Sequence, residues 1–232
     1  PFIWSFVAQA VGVLQRMKPL KAMAAALSHK VGRPWLEASV NGIRLGPDQL
    51  PDIFEAAIDA ARALSLPRLP EIYVSGEQLW DCMTLGSDEQ QFIVIGSIHT
   101  NFRGIDLRYV LGREMGHVAA GHALWKTVVQ FMSGHQGNRT IMGQGALQML
   151  NPAKLIESAI DAPLMAWARH AAITADRAGL LATGDREAAR RVATQSALKS
   201  FPLYARLNLT ALERDIAASD DRQLALSEWV MS

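Results

Sequence analysis

Apolar residues in the first half of the chain recur at two different spacings. Just after residue 50 they recur every three or four positions, which predicts a helix with Pro51 in its first turn. The predicted buried face of this helix consists of Leu50, Ile53, Phe54, Ala57, Ile58, Ala61 and Leu64. Short runs with strand character occur at 35–45, 72–75, 81–85 and 91–95. The first run contains the turn pair Asn41 and Gly42 and so predicts a hairpin, and the four runs together predict a small sheet.

After residue 104 the spacing of apolar residues is helical almost throughout. It predicts helices at 104–131, 152–182, 185–200 and 203–230. Four glycines between residues 133 and 146 predict a flexible loop between the first two of these helices. At the start of the chain, residues 1–29 are predicted to form a helix, broken or kinked near Pro19 because proline removes a backbone donor.

A single domain is the simplest organisation for these elements, because 232 residues suffice to bury one core. The predicted fold class is α+β and mostly helical, with a small N-terminal sheet followed by long helices. Within the domain, 1–232, four parts are expected in chain order. They are an N-terminal helical segment, a sheet with one helix, the long helices with their flexible loop at 133–146, and C-terminal helices, at 1–34, 35–103, 104–200 and 201–232.

Composition and charge narrow the classes of function. The 23 basic and 22 acidic residues leave a formal net charge of +1, which gives no electrostatic reason to bind nucleic acid. The one cysteine, Cys82, excludes a disulfide or a multi-cysteine metal site within this chain and favours a reducing, predicted cytoplasmic, compartment. No apolar run reaches the ~18–20 residues of a membrane span. The apolar stretch 1–14 is instead predicted to be the first helix of the domain. The alternatives are that it contacts a membrane surface without spanning it, or joins a homo- or hetero-oligomer.

Candidate chemistry is concentrated in the predicted helix that begins at 104. Its segment Arg113-Glu114-Met115-Gly116-His117 differs from the zinc-binding pattern His-Glu-x-x-His at the first position. In that pattern the two histidines, four residues apart, share one helix face and bind zinc together. The glutamate activates the metal-bound water as a general base. This chain therefore keeps Glu114 and His117 but has Arg113 where the first histidine would stand.

Two further motifs make the likeness specific. His117 and His122 lie in Gly-His-Val-x-x-Gly-His, and a later helix carries Thr174-Ala-Asp-Arg-Ala-Gly-Leu-Leu-Ala182. With these motifs the chain resembles the M48 family of zinc metallopeptidases over roughly residues 35–200. The resemblance implies a gluzincin fold, which is mostly helical with a small sheet. It also implies a Glu-x-x-x-Asp motif whose glutamate is the third zinc ligand and whose aspartate supports the site. Aligning that aspartate on Asp176 places Ala172 at the glutamate position.

The family also uses an edge strand to bind the backbone of its substrate. Where family members usually have Asn-Ala-x-Thr, this chain has Asp81, Cys82, Met83 and Thr84. The resemblance therefore implies that these four residues form a peptide-binding edge strand. Such a strand can hold an extended segment through main-chain hydrogen bonds without any chemistry.

The inherited ligand set is incomplete, because only His117 remains of the three zinc ligands. The guanidinium of Arg113 has no lone pair, and Ala172 has no donor atom. His122 would lie about 140° around a continuous helix from His117 and point elsewhere, and His170 would face away from position 172. The remaining candidates, His99 and His135, fall in predicted loops. No cofactor is therefore expected, and Arg113 is hypothesised to form an ion-pair cluster with Glu114 and Asp176 in place of metal.

Two functions remain open. The first is an inactive M48 homologue, a pseudo-peptidase in which Glu114 is a vestigial general base and the cleft binds a peptide or protein, or in which the chain is an assembly subunit. The alternative is an active zinc-dependent endopeptidase with non-standard ligands, in which His117 is one ligand. In simpler structural readings Glu114 is only a solvated helix residue, His117 is a packed core histidine, and Asp176 pairs with a neighbouring helix.

Overall fold

The computed structural model describes residues 11, 12, 14, 16, 42–76, 79–87, 90–133 and 158–218. Most of the predicted N-terminal helix, the first arm of the predicted hairpin and most of the predicted loop at 133–146 lie outside the described residues. So do His135 and the end of the last predicted helix.

Four strands form the sheet: β1 (Gly42–Arg44), β2 (Glu71–Ser75), β3 (Cys82–Gly86) and β4 (Gln91–Gly96). They lie in the order β1-β2-β4-β3, so that β3 is at one edge of the sheet. The central pair, β2 and β4, is parallel, and both outer pairs are antiparallel. The strand runs predicted at 72–75, 81–85 and 91–95 are confirmed to within one residue.

Helices make up most of the rest of the described chain. They are α1 (Pro51–Ala63), α2 (Gly104–Ala119), α3 (Ala123–Ser133), α4 (Ser158–Thr183), α5 (Arg186–Leu198), α6 (Phe201–Tyr204) and α7 (Leu209–Ala218). A short 3-10 helix, Ser97–Asn101, follows β4 directly. The predicted fold class, α+β and mostly helical with a small sheet before the helices, is confirmed. Pro51 begins α1, as the sequence predicts.

The helix predicted at 104–131 is wrong in one respect, because the structure divides it into α2 and α3. Gly121 has φ +67°, a left-handed conformation that glycine adopts without steric cost. The Gly121 amide donates to the Val118 carbonyl, and the His122 amide donates to the His117 carbonyl. This is the hydrogen-bond pattern of a Schellman cap, which ends α2 and lets the chain change direction before α3.

The helix predicted at 203–230 is also wrong as a single element. Its described part forms α6 and α7, with a break at 205–208. The Asn208 side-chain oxygen accepts a hydrogen bond from the Ala211 amide, so Asn208 caps a new helix rather than continuing the old one.

Helices α2 and α4 pack closely in the core and cross where both have very small side chains. A Cβ placed on Gly112 would lie 2.6 Å from the Ala182 Cβ, and one placed on Gly116 would overlap the Ala178 Cβ. From Gly112 to Gly116 the contacts shift from Ala182 to Ala178, so the two helices run antiparallel. This packing places the residues that flank the glycines on α2 directly against α4.

A second layer of packing joins these helices to the sheet. The apolar core includes Ile72, Ile93 and Ile95 of the sheet and Leu111 and Met115 of α2, all nearly or fully buried. The opposite face of the sheet is buried as well, through residues that include Tyr73, Met83 and Val94. Among the described residues, no helix combines the length and apolar character that crossing a bilayer requires.

We expect Gly116→Ala to lower the free energy of unfolding by about 1–3 kcal/mol, because the added methyl forces α2 and α4 apart. Urea unfolding of the purified protein measures the change. Gly46→Ala is the matched control, since a Cβ at Gly46 meets nothing within 4 Å. Equal stability of the two variants would contradict the close packing of α2 and α4.

Candidate functional site

The α2–α4 crossing brings together the site residues that the sequence singles out. Arg113 follows Gly112 on α2, and its Nε donates a 2.6 Å hydrogen bond to Oδ1 of Asp176 on α4. The two helices are antiparallel, so one turn further along α2 pairs with one turn back along α4. That register places His117 opposite Ala172. Arg113, His117, Ala172 and Asp176 thus lie along one helix–helix seam.

Glu114 has no exposure to solvent and is bonded through both carboxylate oxygens. Its Oε1 accepts from Nη1 of Arg113 at 3.1 Å. Its Oε2 accepts from Oγ1 of Thr84 on β3 at 2.8 Å and lies 3.5 Å from Nζ of Lys126 on α3. The hypothesised cluster of Arg113, Glu114 and Asp176 is therefore formed. Because Glu114 is buried and paired, it is not a solvated surface residue.

Lys126, which no motif in the sequence identifies, supplies a second cation to the cluster. Its side chain is 17% exposed, and burial lowers its pKa from the ordinary value while Glu114 opposes that shift. Among the described residues of α3 it is the one charged side chain, between the buried Trp125 and Thr127. A single lysine in an apolar helix is the signal that could have identified it, since a lysine there is costly without a partner.

His117 and His122 face each other, which corrects the expectation that His122 points elsewhere. Their Nδ1 atoms are 3.1 Å apart, so one ring donates and the other accepts. Burial, followed by the charge of Lys126, lowers the pKa of His117 well below its usual range and that of His122 to about 4. Both rings are thus neutral at pH 7. The cap at Gly121 turns the chain back and makes this pairing, because on a continuous helix the two rings would diverge.

Two other groups near the seam are held in their neutral forms. Burial raises the pKa of the Cys82 thiol far above its usual range, and the negative charge of Glu114 adds to the shift. Burial also raises the pKa of Tyr109, whose hydroxyl donates to Oδ1 of Asp176 at 3.4 Å. A neutral thiol is a poor nucleophile, so Cys82 has no activated form at this position.

Within the part of the chain that the structure describes, His99 and His170 belong to no group of three metal-binding side chains. His99 lies in the 3-10 helix rather than in a loop and is 3% exposed. Its ring contacts Trp80 and Phe102, and its Nδ1 is buried without a hydrogen-bond partner among the described residues. His170 is half-buried on α4.

Two hydrogen bonds show which main-chain groups of β3 face outward. The Gly96 amide donates to the Asp81 carbonyl, so the main-chain groups of the odd-numbered residues of β3 face β4. The Gly86 amide donates instead to Oγ1 of Thr127 on α3. Because main-chain groups alternate along an antiparallel strand, those of Cys82 and Thr84 also face away from β4. The edge is therefore closed by α3 at Gly86, and in the described part of the chain no strand pairs with Cys82 and Thr84.

The donor atoms at the seam do not fit a catalytic zinc ion, which is held by about three protein ligands plus water. Arg113 has a permanently charged group without a lone pair. Ala172, which the resemblance aligns with the third ligand, has no donor atom. His122 adds a second imidazole beside His117, but no group of three His, Cys, Asp or Glu side chains within the described residues is arranged to hold a metal ion.

The overall arrangement is that of a metallopeptidase homologue. A helix carries Glu114 and His117 on its buried side, an edge strand runs beside it, and Asp176 meets it from a later helix. The family model named Peptidase family M48 matches residues 48–231, and the chain belongs to that family.

One relative is described as the chloroplastic plastoglobule-localized metallopeptidase 48 of Arabidopsis thaliana. It is 26% identical over 170 residues, which cover 71% of this chain and 45% of that protein. The chain thus spans less than half the length of that relative. No solved structure matches the chain significantly.

We expect Arg113→Ala to lower the free energy of unfolding by about 2–4 kcal/mol, because it leaves the buried Glu114 with one cation instead of two. Thermal unfolding should show a decrease of roughly 5–15 °C in Tm. Arg190→Ala is the matched control, since Arg190 is about half exposed and pairs with exposed partners, and it should cost less than about 0.5 kcal/mol. If both variants unfold alike, Arg113 has no structural role in the cluster.

Buried neutral histidines make stability depend on pH. The pKa of His99 is lowered to about 4, first of all by burial, whereas an imidazole in the unfolded chain titrates near about 6.5. As pH falls between these values the unfolded chain binds a proton that the folded chain does not, so stability present above pH ~6.5 is lost toward pH ~4. We expect His99→Phe to reduce this loss by up to about 3 kcal/mol, measured by urea unfolding at neutral and acidic pH. An identical pH dependence in the variant would contradict a buried neutral His99.

Proposed function

We propose that the chain is a catalytically inactive M48 homologue whose cleft binds an extended segment of a protein or peptide along β3. The observation that carries this proposal is the position of Arg113. It stands where the family has its first zinc-binding histidine and bonds to both carboxylates that flank the seam, Glu114 and Asp176.

Loss of catalysis follows from the contacts of Glu114. A general base needs a carboxylate oxygen that can approach a water molecule and take its proton. Here Oε1 accepts from Arg113, and Oε2 accepts from Thr84 beside Lys126. With both oxygens engaged and the residue fully buried, Glu114 is a vestigial base that serves structure. We therefore propose that the chain acts without a metal cofactor.

Retention of binding is supported by the edge of the sheet. Main-chain groups of Cys82 and Thr84 face outward, and they can pair with an extended segment as a further strand. The side chains of Met83 and Leu85 are buried, which anchors β3 while its outer groups stay available. Binding of this kind uses main-chain hydrogen bonds and needs none of the lost metal ligands.

The relative's name describes that protein as a metallopeptidase, and this chain covers less than half of it. The same name places the relative in plastoglobules of the chloroplast, and for this chain the cytoplasmic location stays a prediction. Contacts of the apolar segment 1–14 with a membrane surface or a second subunit also stay predictions.

Fluorescein-labelled casein, which is largely unstructured, tests both parts of the proposal. We expect no cleavage with or without added zinc, together with binding seen as increased fluorescence anisotropy. Cleavage that requires zinc and disappears in Glu114→Gln would establish the alternative, an active zinc endopeptidase with non-standard ligands.

Proline at an outward-facing position tests the edge strand itself. Cys82→Pro removes an amide that faces away from β4 and leaves the β3–β4 hydrogen bonds intact, so casein binding should weaken about tenfold or more. Arg44→Pro is the matched control on the opposite edge, since the Leu45 amide bonds to Ile72 and the Arg44 amide therefore faces outward. Absence of binding by the unaltered protein, or equal loss in both variants, would overturn binding at β3.

A further inference from the structure

We propose that Glu114 is a positioning residue in this chain: Arg113 and Lys126 hold its carboxylate, and the carboxylate holds Thr84 and with it the edge strand β3. The importance of this contact for partner binding rests on the function proposed above. The strand-holding role itself does not, and it can be measured without any partner.

Positive and negative side chains around Glu114 are present in equal number. The charge cluster contains two carboxylates, Glu114 and Asp176, and two cations, Arg113 and Lys126. Arg113 contacts both carboxylates, and Lys126 contacts Glu114 from the other side. A divalent metal would bring two positive charges to such a site, and here two side chains supply them. The four charged groups therefore compensate one another within the protein.

The contacts of the cluster connect four elements of the fold. Glu114 is on α2, Asp176 on α4, Lys126 on α3 and Thr84 on β3. The Thr84 hydroxyl is fully buried and lies within hydrogen-bond distance of both the carboxylate and the main-chain carbonyl of Glu114. The side chain of Thr84 contacts Glu114, and its main-chain groups face the open edge because the Gly96–Asp81 hydrogen bond sets the register of β3 against β4.

Helix α3 also contacts β3 directly, through the residue next to Lys126. Thr127, which follows Lys126, accepts the hydrogen bond from the Gly86 amide. One end of β3 is therefore fixed by α3 directly and its middle is fixed through Glu114. An edge strand fixed at two points is pre-ordered for pairing, which reduces the entropy cost of binding.

Hydrogen exchange of β3 amides combined with a double-mutant cycle tests this role. The amides of Met83 and Leu85, which face β4, report on the strand. We expect Lys126→Met to speed their exchange about tenfold or more, and Lys126→Arg to restore protection, since it keeps the cation. In a Glu114→Gln background Lys126→Met should add little, because the carboxylate that it served is gone. Thr84→Val, which removes the hydroxyl, should speed exchange in the same way.

Lys199→Met is the matched control. Lys199 also lies near β3, where its Nζ is 3.9 Å from Oδ1 of Asp81, but both side chains are more than half exposed. Exchange at Met83 and Leu85 should be unchanged in this variant. Should Lys126→Met fail to fold, Thr84→Val carries the measurement, since a buried hydroxyl replaced by a methyl keeps the shape of the side chain.

Each outcome separates this inference from the proposed function. Unchanged exchange in Lys126→Met and Thr84→Val, or an equal effect of Lys126→Met with and without Glu114, would overturn the positioning role whatever casein does. If Lys126→Met speeds exchange only when Glu114 is present, and casein does not bind, the positioning role stands and the proposed function is rejected. Weaker casein binding in Lys126→Met, restored in Lys126→Arg, would connect the two.

Discussion

Glu114 carries a negative charge into the interior, at a point where α2, α3, α4 and β3 meet. A buried carboxylate is costly unless charges and hydrogen bonds compensate it. Arg113, Lys126 and Thr84 provide that compensation from three different elements. The contacts of this one side chain therefore tie α2, α3 and β3 to one another, and the Arg113–Asp176 ion pair joins α4 to them.

The charge cluster depends in turn on the close crossing of α2 and α4. Gly112 and Gly116 allow α4 to approach because Ala178 and Ala182 have no bulk beyond a methyl group. At that separation the guanidinium of Arg113 reaches Asp176 on the neighbouring helix. The Arg113–Asp176 ion pair thus joins the two helices at this seam. Within the described residues, no group of three donor side chains is arranged there to hold a metal ion.

Local patterns predicted the elements whose boundaries are set locally. Helix α1 and strands β2, β3 and β4 were found because Pro51, apolar spacing and turn residues act over a few positions. The division of 104–131 does not follow from the apolar spacing, because a single glycine such as Gly121 can also lie within a helix. Its left-handed conformation is stabilised by the carbonyls of Val118 and His117. Likewise, Asn208, which caps α7, is a single polar residue, and it hardly changes the apolar spacing that predicts one continuous helix.

From the sequence alone it follows that Arg113 and Ala172 cannot bind metal, because the lack of a lone pair belongs to the residue type and holds in any fold. The tertiary structure alone decided that Lys126 and Thr84 meet Glu114, and that His122 returns to His117. Those contacts join side chains on different elements, and their distances follow from packing and from a change of chain direction rather than from spacing. A charge in the sequence shows that a partner is needed; only the folded chain determines which partner is within reach.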